Sequence, residues 1–374
     1  MKNFTLENFE PQINRQVIHM DQGVCYNPEY LATGAMRYYP SRIMQIARAV
    51  WLNQLPISEY GAQILFSSIL SGQGERWQNF GEDQNEYMLC MLLFRELFVK
   101  QGVGSKIAAE LEDRVRRSEG HIIHVSEEAY EIWEKAIPVS ENSTICLFVD
   151  DATFAYTSSC ANHVGEFLKK RGITVQPMYG PYFGGFEYFA AGLIDRGYEH
   201  LLALIQNLVN KGVKKVITLS GQSQFLLTTL CEKIGIQHKL QVISILSICD
   251  SLDVKKGYIY GGSFYTRYLR MDGEINKLTM ASDEEKVPNC WEFVPLLNGS
   301  KRQNIITIWQ APLTPEFVPF GIDQEMLDTI YENGLDEIYR AGFKQLVVCD
   351  PFAFHALKEK NCTDDVVYYT SLLK

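Results

Sequence analysis

Apolar positions in the first part of the chain recur at helical spacing. After Tyr39, Pro40 suits a first helical turn, and Ile43, Ala47, Val50 and Trp51 follow three or four apart. A second helix is predicted from about Asn85 to Gln101, stopping at Gly102; Met88, Leu92, Leu93, Phe94 and Leu97 make it apolar on every side, so it should be buried. Glu110 to Arg117 is laced with charge and reads as solvent-facing, and Ser126 before Glu127 and Glu128 marks another helix start. From Thr144 the period changes. Ile145 to Val149 reads as a buried strand, Ser159 as the cap of a helix ending at Gly172, and Ile173 to Gln176 as the next strand, with Val242 to Leu246 closing the unit. A second unit opens at Tyr258-Ile259-Tyr260. It continues through a polar stretch, Asp272 to Pro288, expected to be a surface insertion, then a strand from Ile305 to Trp309 and a last one around Val366. Strands alternating with helices predict parallel sheets.

Part of this pattern occurs twice. Residues 198–227 return at 328–357 with a constant offset of 130, which aligns Gly212 with Gly342, Lys214 with Lys344, Val216 with Leu346, Ile217 with Val347 and Leu227 with Leu357. Each copy reads as a helix, a glycine stop, a short apolar strand and a second helix. The loop at the strand's carboxyl end, where α/β folds place their chemistry, is Ser220-Gly221-Gln222-Ser223 in one copy and Asp350-Pro351-Phe352-Ala353 in the other. The expected fold class is α/β: a helical segment over 1–140, then two repeated α/β units with parallel sheets over 141–250 and 251–374.

Composition narrows the function classes. The 374 residues are 46% hydrophobic and 21% charged, enough for a full core without metals or disulfides. Net charge is −10, and the densest basic run, Arg114 to Arg117, is offset by Glu110, Glu112 and Asp113, which disfavours nucleic acid as a partner. No apolar stretch is long enough for a transmembrane segment or a signal peptide, which points to a cytoplasmic protein. The nine cysteines are irregularly spaced, with no CxxC, so they read as packing residues rather than a disulfide framework.

Several residue groups carry candidate chemistry. Asp150, Asp151, Ser220, Ser223 and Asp350 should gather at strand carboxyl ends, as a polar pocket or as helix caps and solvated loop residues. Gly221-Gln222-Ser223-Gln224-Phe225 imitates a nucleophile elbow, with Asp350 and His355 following in hydrolase order, but Phe225 stands where the tight turn wants glycine. His355, His163 and His200 read more simply as helix-surface residues. Gly180, Gly184 and Gly185 would let a phosphate approach the backbone, although no Lys-Ser/Thr follows. His121 and His124 with Asp150 and Asp151 make a weak metal candidate that lacks a third ligand at telling distance.

The layout resembles the cysteine-rich (CCG) proteins of the heterodisulfide reductase B/C-like family, including their fusions with a ferredoxin-like segment, as in the anaerobic glycerol-3-phosphate dehydrogenase iron–sulfur protein. The resemblance covers residues 20–374. It implies a lone Cys, a Cys-Cys-Gly loop and a Cys-x-x-Cys in each unit. Here those positions fall on Asp151, on Tyr182-Phe183 before Gly184-Gly185, and on Ser220 and Ser223 in the first unit. In the second they fall on Phe264, on Pro312-Leu313, and on Asp350 and Ala353, with Cys349 one place early. The two ferredoxin motifs implied for the front segment fall on Cys25, Pro28, Leu31 and Ala35, and on Ser71, Gly74, Trp77 and Gly81. Pro, Leu, Ala, Gly, Trp and Phe cannot ligate iron, so the resemblance implies the family's fold with its clusters lost, no metal and no cofactor. It further implies a scaffold or partner role beside a cluster-bearing relative or a flavoprotein dehydrogenase. A repurposed enzyme or small-molecule binder, and an electron-transfer protein relying on a partner's clusters, remain as alternatives.

Overall fold

The computed structural model describes residues 3–18, 27–73, 86–178, 180–254, 257–279, 310–341, 345–360 and 365–374. The amino-terminal part is helical. Its helix Pro40–Trp51 starts on the expected proline, and Glu86–Lys100 runs through the layer with Met88, Leu92, Leu93 and Phe94 all at most 1% exposed. Ser126 caps Glu127–Ala136 by accepting the Ala129 N–H at 3.2 Å. The charge-laced stretch lies on the helix Ser105–Arg117, which is not wholly solvent-facing, because Leu111 and Val115 turn inward.

Two three-stranded parallel sheets follow. The first pairs β1 (Ile145–Phe148), β2 (Lys215–Thr218) and β3 (Gln241–Ser244) in that order. The second pairs β4 (Gly257–Tyr260), β5 (Gln345–Val348) and β6 (Asp365–Tyr368) in the same way. The protein is thus a mixed α/β chain with parallel sheets, as the alternation predicts. The repeat is kept in three dimensions: the helices Ile194–Asn210 and Gln324–Ala341 lead into the central strands β2 and β5. Each strand then opens a helix whose first residue is capped in the same manner, Ser220 holding the Ser223 N–H at 3.1 Å and Asp350 the Ala353 N–H at 2.8 Å.

Side-chain alternation along β1 assigns its two faces. Cys146 and Phe148 join the core shared with the helical layer, whereas Leu147 and Val149 join a core that also contains Ile259, Leu346 and Val347 of the second sheet. A third, smaller core collects Leu111, Ile122, Phe183, Tyr188, Val318 and Phe320 where all three parts of the chain meet.

Four local expectations need correction. Ile173 to Gln176 is not a sheet strand: Val175 makes a single bridge to Val139, and Pro177 has no N–H with which to extend the ladder beyond the Gln176 bond to Ile145. Ser159 does not cap the next helix; Asp150 caps Asp151–Tyr156 straight off β1, and a 3-10 turn, Ser158–Cys160, precedes Ala161–Lys170. The closing strand of the first unit ends at Ser244 and passes into the 3-10 turn Ile245–Ile248. The polar stretch from Asp272 begins as the helix Asp272–Leu278, which buries Ile275 and Leu278 and so does not lie wholly on the surface. Its remainder beyond Thr279, and the expected strand Ile305 to Trp309, lie outside the described residues. No helix among the described residues is long and apolar enough to cross a membrane.

Candidate functional site

The carboxyl ends of β1 and β2 bring three of the expected residues together. The Asp150 carboxylate receives the Thr153 N–H at 2.8 Å and, through its other oxygen, the hydroxyls of both Ser220 and Ser223, the latter at 2.6 Å. The two hydroxyl oxygens are themselves 3.0 Å apart. All three residues are buried, at 6%, 1% and 2% exposure, so this is a closed polar knot in which each side chain satisfies the others. Asp151 is not part of it. Its carboxylate turns to the helical layer, meeting His121 Nδ1 at 2.9 Å and the Ile122 N–H at 2.6 Å, and burial raises its pKa against those bonds.

The neighbouring loop also departs from an open pocket. A backbone bridge sets Tyr182 beside Asp150, but its ring stacks on Phe148 at 4.6 Å and its hydroxyl lies 3.4 Å from Cys146 Sγ. Phe183 packs into the third core, and its carbonyl bonds His200 Nε2 at 2.8 Å. His200 is therefore half-buried against the Phe183 ring rather than a surface residue, and burial lowers its pKa. The imidazole also occupies the space beside Gly185, whose φ is +85°: a Cβ there would stand 2.7 Å from His200 Cδ2. That close approach, rather than a phosphate, accounts for the glycine.

In the second unit, Phe264 is buried among Phe186 and Phe225, with ring centroids 5.2 and 5.4 Å away. Pro312 and Leu313 are buried too, the Leu313 N–H donating to the Tyr260 hydroxyl at 3.1 Å. Ala353 is fully buried, and Asp350 caps its own helix. Cys349 is likewise fully buried, and burial followed by the adjacent Asp350 and Glu316 pushes its thiol up, as expected of a packing residue.

The two units place their acids on opposite strands. Two residues after the outer strands β1 and β4 stand Asp150 and Gly262; two residues after the central strands β2 and β5 stand Ser220 and Asp350. Gly262 has a φ of +76°, and a Cβ added to it would lie 3.0 Å from Glu316 Oε1 and 3.1 Å from Asp350 Cβ. Gly262→Ala is therefore expected to destabilise the protein by about 2 kcal/mol or more, from left-handed strain plus contact with two carboxylate side chains. Urea unfolding of the variant measures this, and an unchanged midpoint would refute it.

Three buried residues here were not foreseen. Arg267 donates from Nη2 to Ser263 Oγ at 2.6 Å, from Nη1 to the Gln310 carbonyl at 3.1 Å and from Nε to the Ser71 carbonyl. Glu316 receives the N–H groups of Ser263 and Phe264, the latter at 3.1 Å. Glu187 receives the Val318 N–H at 3.4 Å, and burial, then the nearby Asp151 and Asp150, push its carboxyl up to about 7. Burial also raises Glu316, and it raises Asp350 well above the usual carboxylate range with Glu316 adding to the effect. A signal existed: Arg267 and Glu316 are single charges inside otherwise uncharged, aromatic- or proline-rich runs, Gly261 to Leu269 and Ala311 to Ile322. Charges so placed are buried with partners or not buried at all.

The remaining candidates separate. Ser223 gives its hydroxyl to Asp150, while His355 stacks parallel on Tyr156 at 3.9 Å and is partly buried, so the elbow-like sequence forms no serine–histidine relay and His355 is not a free surface residue. His163 is exposed as expected, and so is His124. Among the described residues no three His, Cys, Asp or Glu side chains are grouped to hold a metal ion. Of the front-segment positions, Pro28 begins the helix Pro28–Thr33, Leu31 on it is 47% exposed, Ala35 follows it, and Ser71 is buried under Arg267. Cys25, Gly74, Trp77 and Gly81 lie outside the described residues. The donor set at the positions described, hydroxyl, carboxylate and hydrocarbon without a thiolate, does not fit a [4Fe–4S] cluster.

Comparisons with protein-family models, with curated proteins and with solved structures find no match to this chain.

Proposed function

We propose that the chain is a cluster-free homologue of the heterodisulfide reductase B/C-type proteins, acting as a non-catalytic scaffold or partner subunit of a cytoplasmic oxidoreductase complex beside a cluster-bearing relative or a flavoprotein dehydrogenase. One observation carries the reading. Ser220 and Ser223, at Cys-x-x-Cys spacing, meet at the carboxyl end of β2 beside the Tyr182-Phe183 loop, and their hydroxyls are taken up by Asp150. An architecture that holds these positions together while filling them with self-satisfied hydroxyls, aromatic rings and alkyl groups suits a frame whose redox centre is gone. Filling matters energetically, since an emptied site would cost ~24 cal/mol per Å³ of cavity.

A repurposed small-molecule site draws on the same buried polar groups, but Asp150, Ser220, Ser223 and Asp350 are each at most 6% exposed and bonded within the protein, which favours the scaffold. Two measurements on the full chain test the reading together. After anaerobic reconstitution with iron and sulfide, the purified protein should retain no stoichiometric iron. A tagged copy in the native organism should bring down a flavoprotein dehydrogenase or a cluster-bearing relative. Iron at one cluster per chain, or recovery of the chain alone under crosslinking, would overturn it.

A further inference from the structure

We propose that the junction of the helical layer with the two α/β units is a pH-operated seam: Asp151 and Glu187 hold the segment around Ile122 and the loop around Val318 in place at mildly acidic pH and release them as the pH rises past neutrality. The seam is defined by geometry. The third core draws Leu111, Val115 and Ile122 from the helical layer, Ala152 and Phe183 from the first unit, and Val318 from the second. Among the described residues, two acidic side chains of the first unit tie the flanking parts to it by side-chain bonds at this place. Asp151 holds His121 Nδ1 at 2.9 Å and the Ile122 N–H at 2.6 Å; Glu187 holds the Val318 N–H at 3.4 Å. Both acids are 2% exposed, whereas the His121 side chain is 33% exposed and gives solvent protons a way in.

The charges facing this place include Tyr188 on the helix Phe186–Ala190, which interacts with Glu187, Glu112 and Arg196, and Glu359 at the end of the helix Pro351–Glu359, which acts on Tyr156. Asp150, Asp151 and Tyr156 stand on or beside the helix Asp151–Tyr156, His200 on Ile194–Asn210, and Glu119 beside His121. The nearby cations are Arg114, Arg95 and Arg196, and each is engaged: Arg114 with the Ile122 carbonyl, Arg95 with those of Ala190, Leu65 and Ser68, and Arg196 with Glu112 at 3.5 Å. Two titrations then act in the same direction. Burial and the neighbouring acids hold Glu187 near 7, and the Asp151 carboxylate raises His121 above its ordinary value. As pH climbs, Glu187 gains a negative charge and His121 loses a positive one, and each change makes the seam more negative with its arginines already engaged. A buried carboxylate charge met only by backbone N–H groups is relieved by admitting water, which here means parting the seam.

Hydrogen exchange of the full chain at about pH 6 and about pH 8.5, corrected for intrinsic exchange, reads the switch directly. Protection of the segments 118–125 and 316–320 is expected to fall by roughly tenfold, with exchange well ahead of that at β2, since each unit of pKa displacement is worth a factor of ten. Glu187→Gln should keep the Val318 bond and abolish most of the loss at 316–320, and His121→Gln should flatten the profile at 118–125. No fall at the seam, exchange there no faster than at β2 at either pH, or an undiminished loss in Glu187→Gln, would overturn the proposal.

Discussion

Replacing Arg267 with Met should lower the unfolding free energy by about 3–5 kcal/mol, since three buried acceptors each lose their donor at about 1–3 kcal/mol apiece. Arg267 is 2% exposed and makes three bonds that join different parts of the chain: to Ser71 in the helical layer, to Gln310 just before the Pro312-Leu313 loop, and to Ser263 after β4. Methionine matches the alkyl stem and leaves those acceptors bare. It also withdraws the cation that lowers Glu316, the buried Tyr260 and the partly buried Tyr258, so the remaining acids must hold their protons more firmly. Arg267→Lys should recover only a minor part, because an ammonium cannot span three acceptors arranged for a guanidinium. Denaturant unfolding of both variants decides the matter. A loss below about 1 kcal/mol for Arg267→Met would mean that the network is solvated despite its burial.

Glu187→Gln should have the opposite sign and a pronounced pH dependence. The folded carboxyl titrates near 7 against an ordinary value of 4.5. A group raised on folding contributes stability that is complete below its unfolded pKa and is lost as pH rises through its folded one. The wild-type protein therefore sheds roughly 2–3 kcal/mol between about pH 4.5 and pH 7.5 on account of this residue, at 1.36 kcal/mol per unit. Glutamine keeps an oxygen for the Val318 N–H and carries no charge at any pH. The variant should match wild type near pH 4 and exceed it by about that amount near pH 8. Thermal unfolding across the range is the measurement, and parallel curves for the two proteins would contradict the assignment of Glu187 as the buried titrating acid.

How much of this was legible beforehand depends on the range of the interaction involved. The helix Glu86–Lys100, the strands β1, β2, β5 and β6 and the caps at Ser126 and Ser220 follow from residues close in sequence, and periodicity finds them. The repeat also survives into matched helices, strands and caps. Local signals misled where a neighbour overrode them. Pro177 cut short an apolar run that otherwise reads as a strand, and Asp150 started a helix straight off β1, well before Ser159 could act as a cap. The site was half visible. Ser220, Ser223 and Asp150 share the carboxyl edge of one sheet, which the strand pattern locates, but that Asp151 would face the other way depends on His121, thirty positions earlier. Arg267 pairing with Ser71, and Glu316 with Ser263, are contacts between distant parts of the chain for which no spacing rule exists.

The exchanged positions of Asp150 and Asp350 limit how the duplicated halves can drift. Each lobe tolerates one carboxylate at its pair of strand ends, with a hydroxyl or no side chain at all opposite it. A first lobe given a second acid in place of Ser220 would crowd two carboxyls together in a dry interior, a second lobe given one in place of Gly262 would set a third beside Asp350 and Glu316, and a lobe carrying none would leave a bare helix start. Substitutions at these four sites should therefore be inherited in couples, and a chimera built by exchanging single strands between the halves inherits the conflict.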